Sequence, residues 1–163
     1  MSAKTITLFF PFSLVTESML LELTRRLKLK IDELSSEKEF GFQFSAQGGS
    51  GKTYLLVEYR ENDEDSIEEV GHWGQLGDEI KKILLRCQSS ITIYYRLRDN
   101  AKEAILAIGA LLGEGLQYCV VENGQGCLLT LDSIVKCLQD ESEWSWERDT
   151  FPELPNVAPS EWR

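Results

Sequence analysis

The run Ala46-Gln47-Gly48-Gly49-Ser50-Gly51-Lys52-Thr53 fits the permissive phosphate-loop pattern, with Ala where the strict form has its first glycine. In a working loop of this kind, backbone N–H groups cradle phosphates. Lys52 would reach the β- and γ-phosphates, and Thr53 would hold magnesium. That chemistry requires a strand before the loop and a helix after it, because the helix N-terminus supplies the oriented donors. A strand before the loop is signalled by Phe40, Phe42 and Phe44 alternating with Gly41, Gln43 and Ser45. The segment after it, Tyr54-Leu55-Leu56-Val57-Glu58-Tyr59-Arg60, is rich in aromatic, Leu and Val residues and reads as a second strand. The pair predicts a β-hairpin closed by a glycine turn, with Lys52 a solvated turn lysine.

Other catalytic constellations are thin. A nucleophile with a base, two tuned carboxylates or a metal cluster would be needed. The one histidine, His72, sits in the glycine-flanked stretch Gly71-His72-Trp73-Gly74, and no spacing selects Cys87 as its partner. The four cysteines, Cys87, Cys119, Cys127 and Cys137, are scattered singly and read as small apolar core residues. No zinc set is formed. The acids Glu61, Asp63, Glu64 and Asp65 lack the alternation and internal glycine of a calcium loop. They read as a solvated loop or a partner surface. No catalytic residue, cofactor or metal is expected.

The elements that would position these residues follow from periodicity. Thr5–Phe10 predicts a strand ended by Pro11. Thr16 opens a helix whose apolar residues, Met19, Leu20, Leu23, Leu27 and Ile31, recur at helical spacing. The hairpin follows, then an acidic connection. Ile67–Cys87 reads as an interrupted helix, firmest from Gly77, with Ile80, Ile83 and Leu84 on one face. Ser90–Leu97 is a strand. Asp99 or Asn100 is expected to cap a helix over Ala101–Leu112, stopped by Gly113. Tyr118–Val121 and Cys127–Leu131 flank the turn Glu122-Asn123-Gly124-Gln125-Gly126. Thr130 or Asp132 then caps a short helix with Ile134, Val135 and Leu138. The fold class is therefore α+β: a ferredoxin-like β-α-β-β-α-β core extended by a helix, a β-hairpin and a short helix.

Residues 1–140 are expected to form one domain and residues 141–163 a C-terminal tail. From Asp140 onward seven acids face only Arg148 and Arg163, with Pro152, Pro155 and Pro159 and three of the four tryptophans. Disordered linkers are poor in aromatics, so Trp144, Trp146 and Trp162 are expected to pack on the domain or to anchor a partner.

The net charge is −10 over 163 residues. Phosphate backbones are bound through clustered Lys and Arg, so nucleic acid is excluded as a ligand, and an anionic membrane surface with it. The apolar runs fall short of a membrane span and no export signal is read, which suits a soluble cytoplasmic protein with a basic protein partner. The candidate partner-contact residues are Glu61, Asp63, Glu64, Asp65, Glu68, Glu69, Trp144 and Trp146. In size, acidity, lack of a catalytic set and lack of an export signal, the chain resembles the cytoplasmic immunity proteins that neutralise bacterial polymorphic toxins. The resemblance spans the character of the whole chain, including the Glu61–Asp65 acids and the Trp144–Trp146 segment. It implies a one-to-one inhibitor whose acids enter or cover the active site of a basic toxin domain. The alternative is a small-molecule-binding or enzymatic ferredoxin-like domain, with the Gly48–Lys52 turn and His72 at the mouth of a pocket.

Overall fold

Alternation of apolar and polar residues builds a sheet with one dry face. Ile6, Leu8 and Phe10 of β1 (Lys4–Pro11) are fully buried, while Thr5 and Thr7 between them are half-buried. The computed structural model describes residues 3–11, 14–35, 43–61, 83 and 86–154. Six further strands are β2 (Lys30–Ser35), β3 (Gln43–Gly48), β4 (Leu55–Glu61), β5 (Cys87–Tyr95), β6 (Val120–Glu122) and β7 (Leu128–Thr130). They form one antiparallel sheet in the order β2-β3-β4-β5-β1-β6-β7. Cross-strand partners share a face. The pairings Leu8–Ile91–Tyr59–Phe44 and Ile6–Ile93–Val57–Ala46 therefore lay two continuous apolar rows across four strands.

Three α-helices lie among the described residues: α1 (Glu17–Leu27), α2 (Arg98–Leu112) and α3 (Leu131–Asp140). α2 packs on β5, with α1 and α3 against it. Its buried face is Ala101, Ala104, Ile105, Ile108 and Gly109. A Cβ on Gly109 would stand 3.1 Å from Cγ2 of Val135, so the small residue sets the spacing between α2 and α3. Thr130 caps α3 by accepting the Ser133 N–H at 3.3 Å, one of the two capping residues expected. Neither Asp99 nor Asn100 caps α2. The N-cap is Leu97, without a side-chain bond, and Asp99 lies in the first turn, where its charge suits the helix dipole.

The first helix is shorter than its periodicity predicts. Thr16 caps it, accepting the Met19 N–H at 3.2 Å. Lys28 then adopts a left-handed φ of 56°. Its N–H bonds to the Arg25 carbonyl, and the Leu29 N–H bonds to that of Thr24 at 3.0 Å, closing the helix end. Ile31 belongs instead to β2, where it pairs with Ala46.

That strand decides the topology. In a ferredoxin-like sheet the first strand of the β-α-β-β-α-β unit sits between the third and the fourth. Here β5, the fourth strand of the expected unit, lies between β4 and β1. β2 adds one reversal of chain direction, so β4 runs parallel to β1 and an antiparallel pairing of the two is ruled out. The fold is α+β with a seven-stranded antiparallel sheet, and the ferredoxin-like strand order is replaced.

Of the other expectations, Cys87 opens β5 rather than ending a helix. The remainder of the Ile67–Cys87 helix, apart from Ile83 and Arg86, lies outside the described residues, as do Phe40, Phe42, His72 and Trp162.

Candidate functional site

The glycine turn is built as a hairpin. β3 and β4 pair from Gln43–Arg60 to Gly48–Leu55, and one turn of 3-10 helix, Gly51–Thr53, closes the loop. Thr53 Oγ1 accepts the Ser50 N–H at 3.1 Å and donates to the Ser50 carbonyl at 2.8 Å. The hydroxyl that a phosphate loop gives to magnesium is thus consumed within the turn. Gly49 has a φ of +68°, and a Cβ there would lie 2.2 Å from the Thr53 carbonyl oxygen, so glycine is required for turn geometry. Arg96 donates to the Gly51 carbonyl at 3.0 Å and lies over the Tyr54 ring, holding the turn to the end of β5. Lys52 is exposed. With β4 following in place of a helix, the loop lacks the oriented N–H donors that phosphate binding uses.

The acids are organised on the polar face of the sheet. One cross-strand row reads Leu128–Glu122–Thr7–Thr92–Glu58–Ser45–Glu33 and so crosses every strand. It brings three half-buried carboxylates, Glu122, Glu58 and Glu33, into one line. Between them the hydroxyls of Thr7 and Thr92 are 3.3 Å apart. Glu58 pairs with Arg60 at 3.2 Å, in the next row. Glu122 accepts the N–H groups of Gly124 and Gly126 at 2.9 and 3.0 Å. Burial raises its carboxyl above the usual range, and these two bonds oppose the rise. In the row that follows, Phe9, Ser90 and Val120 are buried, so the accessible polar surface is centred on β3, β4 and β5.

Glu61, a candidate contact residue, ends β4 opposite Ser89, half-buried, and its charge acts on Tyr59. Asp63, Glu64, Asp65, Glu68 and Glu69 lie outside the described residues. Glu58 and Glu33 were not singled out from the sequence. For Glu58 the signal was present: it stands between Val57 and Tyr59, out of phase with the apolar face.

Trp144 and Trp146 form a polar-lined anchor inside the fold. Trp146 is fully buried, edge-on to Tyr95 with ring centroids 5.9 Å apart, and its Nε1 donates to the Tyr95 hydroxyl at 3.0 Å. That hydroxyl donates to Glu147 at 3.0 Å, and Lys4 pairs with the same carboxylate at 2.9 Å. Asn123 donates to the carbonyls of Trp146 and Arg148, each at 2.8 Å, while its Oδ1 shapes the β6–β7 turn. Arg98 donates to the Trp144 carbonyl at 2.7 Å. The Arg148 guanidinium lies over both Trp144 and Phe151 and pairs with Glu153, which also accepts from Trp144 Nε1. The segment 141–154 is therefore packed on the domain through Trp144, Trp146 and Phe151, and the two indoles present almost no surface in this arrangement.

The cysteines are thiols. Burial pushes Cys87 up to about 12 and raises Cys119, so both are neutral near pH 7. Among the described residues no cluster of three His, Cys, Asp or Glu side chains is placed to hold a metal, and no helix is long and apolar enough to cross a membrane. Comparison with protein-family models, curated proteins and solved structures finds no match.

Proposed function

We propose that this chain is an acidic, non-catalytic binding protein, and specifically a cytoplasmic immunity protein that neutralises a cognate bacterial toxin by covering its active site. The observation that supports this reading is the row of carboxylates on the polar sheet face, with Glu58 and Glu33 flanking Ser45, in a chain of net charge −10. The sheet fixes the backbone beneath these charges, which lowers the entropic cost of presenting them to a partner. Glu61 stands on the opposite face from this row, at the end of β4, and adds a further negative charge there. A basic partner is drawn in by the opposite potential and selected by it.

Expression of the toxin encoded beside this reading frame should arrest growth, and co-expression of this chain should restore it. Replacing Glu33, Glu58 and Glu61 together by Gln should slow association with that toxin and flatten its dependence on salt, because exposed charges act mainly on the encounter rate. Failure of the unaltered chain to restore growth would refute the immunity reading. Restored growth with an on-rate insensitive to the triple substitution would keep the inhibitor but move its interface elsewhere.

A further inference from the structure

The residue that ties the C-terminal segment to the β6–β7 turn belongs to the chain's one Asn-Gly pair. Of the four asparagines, only Asn123 is followed by glycine. In such a pair the glycine nitrogen can attack the asparagine side-chain carbonyl carbon, because no Cβ hinders its approach. A bond forms between Gly124 N and Asn123 Cγ, the Cγ–Nδ2 bond breaks, and the amide leaves as ammonia with the proton of the attacking nitrogen. Water then opens the imide ring at either carbonyl, giving aspartate or isoaspartate. We infer that Asn123 is a latent modification site, which the fold keeps as the amide and which converts once residues 146–148 come away from the β6–β7 turn.

Every group this reaction must move is held. Asn123 is buried, and its Nδ2 donates both hydrogens, to the Trp146 and Arg148 carbonyls at 2.8 Å each. Its Oδ1 accepts the N–H groups of Gln125 and Cys127 at 3.0 and 3.1 Å. Four bonds thus fix the side-chain amide against the rotation that would present Cγ. The attacking nitrogen is occupied too. Gly124 N–H donates to Glu122 Oε1 at 2.9 Å, and a carboxylate at that distance opposes loss of the proton. Gly124 is itself required, since its φ is +83° and a Cβ there would collide with the Thr5 carbonyl oxygen. Asparagine at 123 and glycine at 124 are each needed by the turn, so the labile pair comes with the fold.

Conversion bars the return. An aspartate at 123 is an acceptor only, so both donors are lost and a charge faces two carbonyl oxygens. Isoaspartate also lengthens the main chain by one carbon, in a turn where the Asn123 N–H meets the Cys127 carbonyl at 3.1 Å. Release of the segment is thereby recorded covalently, and unfolding becomes irreversible.

The full chain is incubated at mildly alkaline pH in buffer and in urea, and conversion at each asparagine is followed by peptide mass spectrometry. In urea Asn123 should convert ahead of Asn62, Asn100 and Asn156. In buffer it should convert about a hundredfold more slowly, because local opening must first break its bonds to the segment. Trp146→Phe loosens that segment and should speed the reaction in buffer about tenfold, whereas Ile108→Val, a destabilising change in α2, should not. After conversion and removal of urea the chain should melt at least about 6 °C below the parent, and Asn123→Asp should show that shift from the outset. Equal rates in buffer and urea overturn the inference. So does a rate in buffer that ignores Trp146→Phe or rises equally with Ile108→Val, or a converted chain that regains the parental Tm.

Discussion

Trp146→Ala tests whether the C-terminal segment belongs to the core. An indole buries about 200 Å² of surface, which at about 25 cal/mol per Å² corresponds to about 5 kcal/mol. Measured losses for large aromatics truncated to alanine fall at about 3–5 kcal/mol, because the site partly collapses. Trp146 also donates to the Tyr95 hydroxyl, which is half of a relay to Glu147 and Lys4. Removing the donor leaves a buried acceptor unmatched, at about 1 kcal/mol. The expected loss is about 4 kcal/mol. For a chain of this length that lowers Tm by about 8–16 °C. Trp146→Phe keeps most of the apolar contact but not the donor, and should cost about 1–2 kcal/mol. Urea unfolding followed by far-UV circular dichroism measures both, with a common slope showing that only stability has changed. An alanine variant melting within about 2 °C of the parent would refute the anchoring, since so small a shift corresponds to less than about 1 kcal/mol.

Lys52→Ala should leave Tm unchanged, and titration calorimetry with ATP should give no saturable heat before or after the substitution. Saturable binding lost with Lys52 would overturn the hairpin account. Gly124→Ala should destabilise by more than about 2 kcal/mol, because the new Cβ would lie 2.3 Å from the Thr5 carbonyl oxygen at a φ of +83°; a parental urea midpoint would contradict it. Stability should also fall at alkaline pH. Burial raises Cys87 from an ordinary 9.0 to about 12, and raises Cys119, Tyr59 and Tyr95 in the same direction. A raised folded value means the fold favours the neutral form. This stability is therefore complete below the unfolded values and is lost as pH rises through the folded ones, so unfolding free energy should decline from about pH 9 upward. Urea midpoints that stay flat to about pH 11 would contradict the burial of these groups.

The site was partly legible in the residues. The glycine run could be resolved as a hairpin because Leu55, Val57 and Tyr59 alternate, and a helix cannot follow a turn whose next residues keep a period of two. Glu58 and Glu33 were harder to read. Their alignment with Glu122 is made across two intervening strands for Glu58 and four for Glu33, and strand pairing over that distance leaves no mark on local sequence. The relay from Trp146 through Tyr95 to Glu147 and Lys4 joins the first strand to the last described segment, and only the folded chain shows it.

The topology turned on four residues. Met19, Leu20, Leu23 and Leu27 fix α1, and Ile31 continues their spacing by chance, so periodicity alone carries the helix past its end. Nothing in Lys28-Leu29-Lys30 is a strong breaker. A left-handed residue is most often glycine or asparagine, and here a lysine takes that conformation. What ends the helix is tertiary. Ile31 and Leu34 extend the dry face beside Ala46 and Phe44, an outcome open only to a strand. The segment around Ile31 thereby moves from helix to sheet, and the number of chain reversals between β1 and β4 changes from odd to even. β3 and β4 then keep their places in sequence but take the opposite direction, and β5, antiparallel to β1 in either arrangement, inserts where β1 was expected. Counting strands correctly is thus a precondition for reading topology, because in an antiparallel sheet one uncounted strand reverses the hairpin that follows it and so changes which strands can pair.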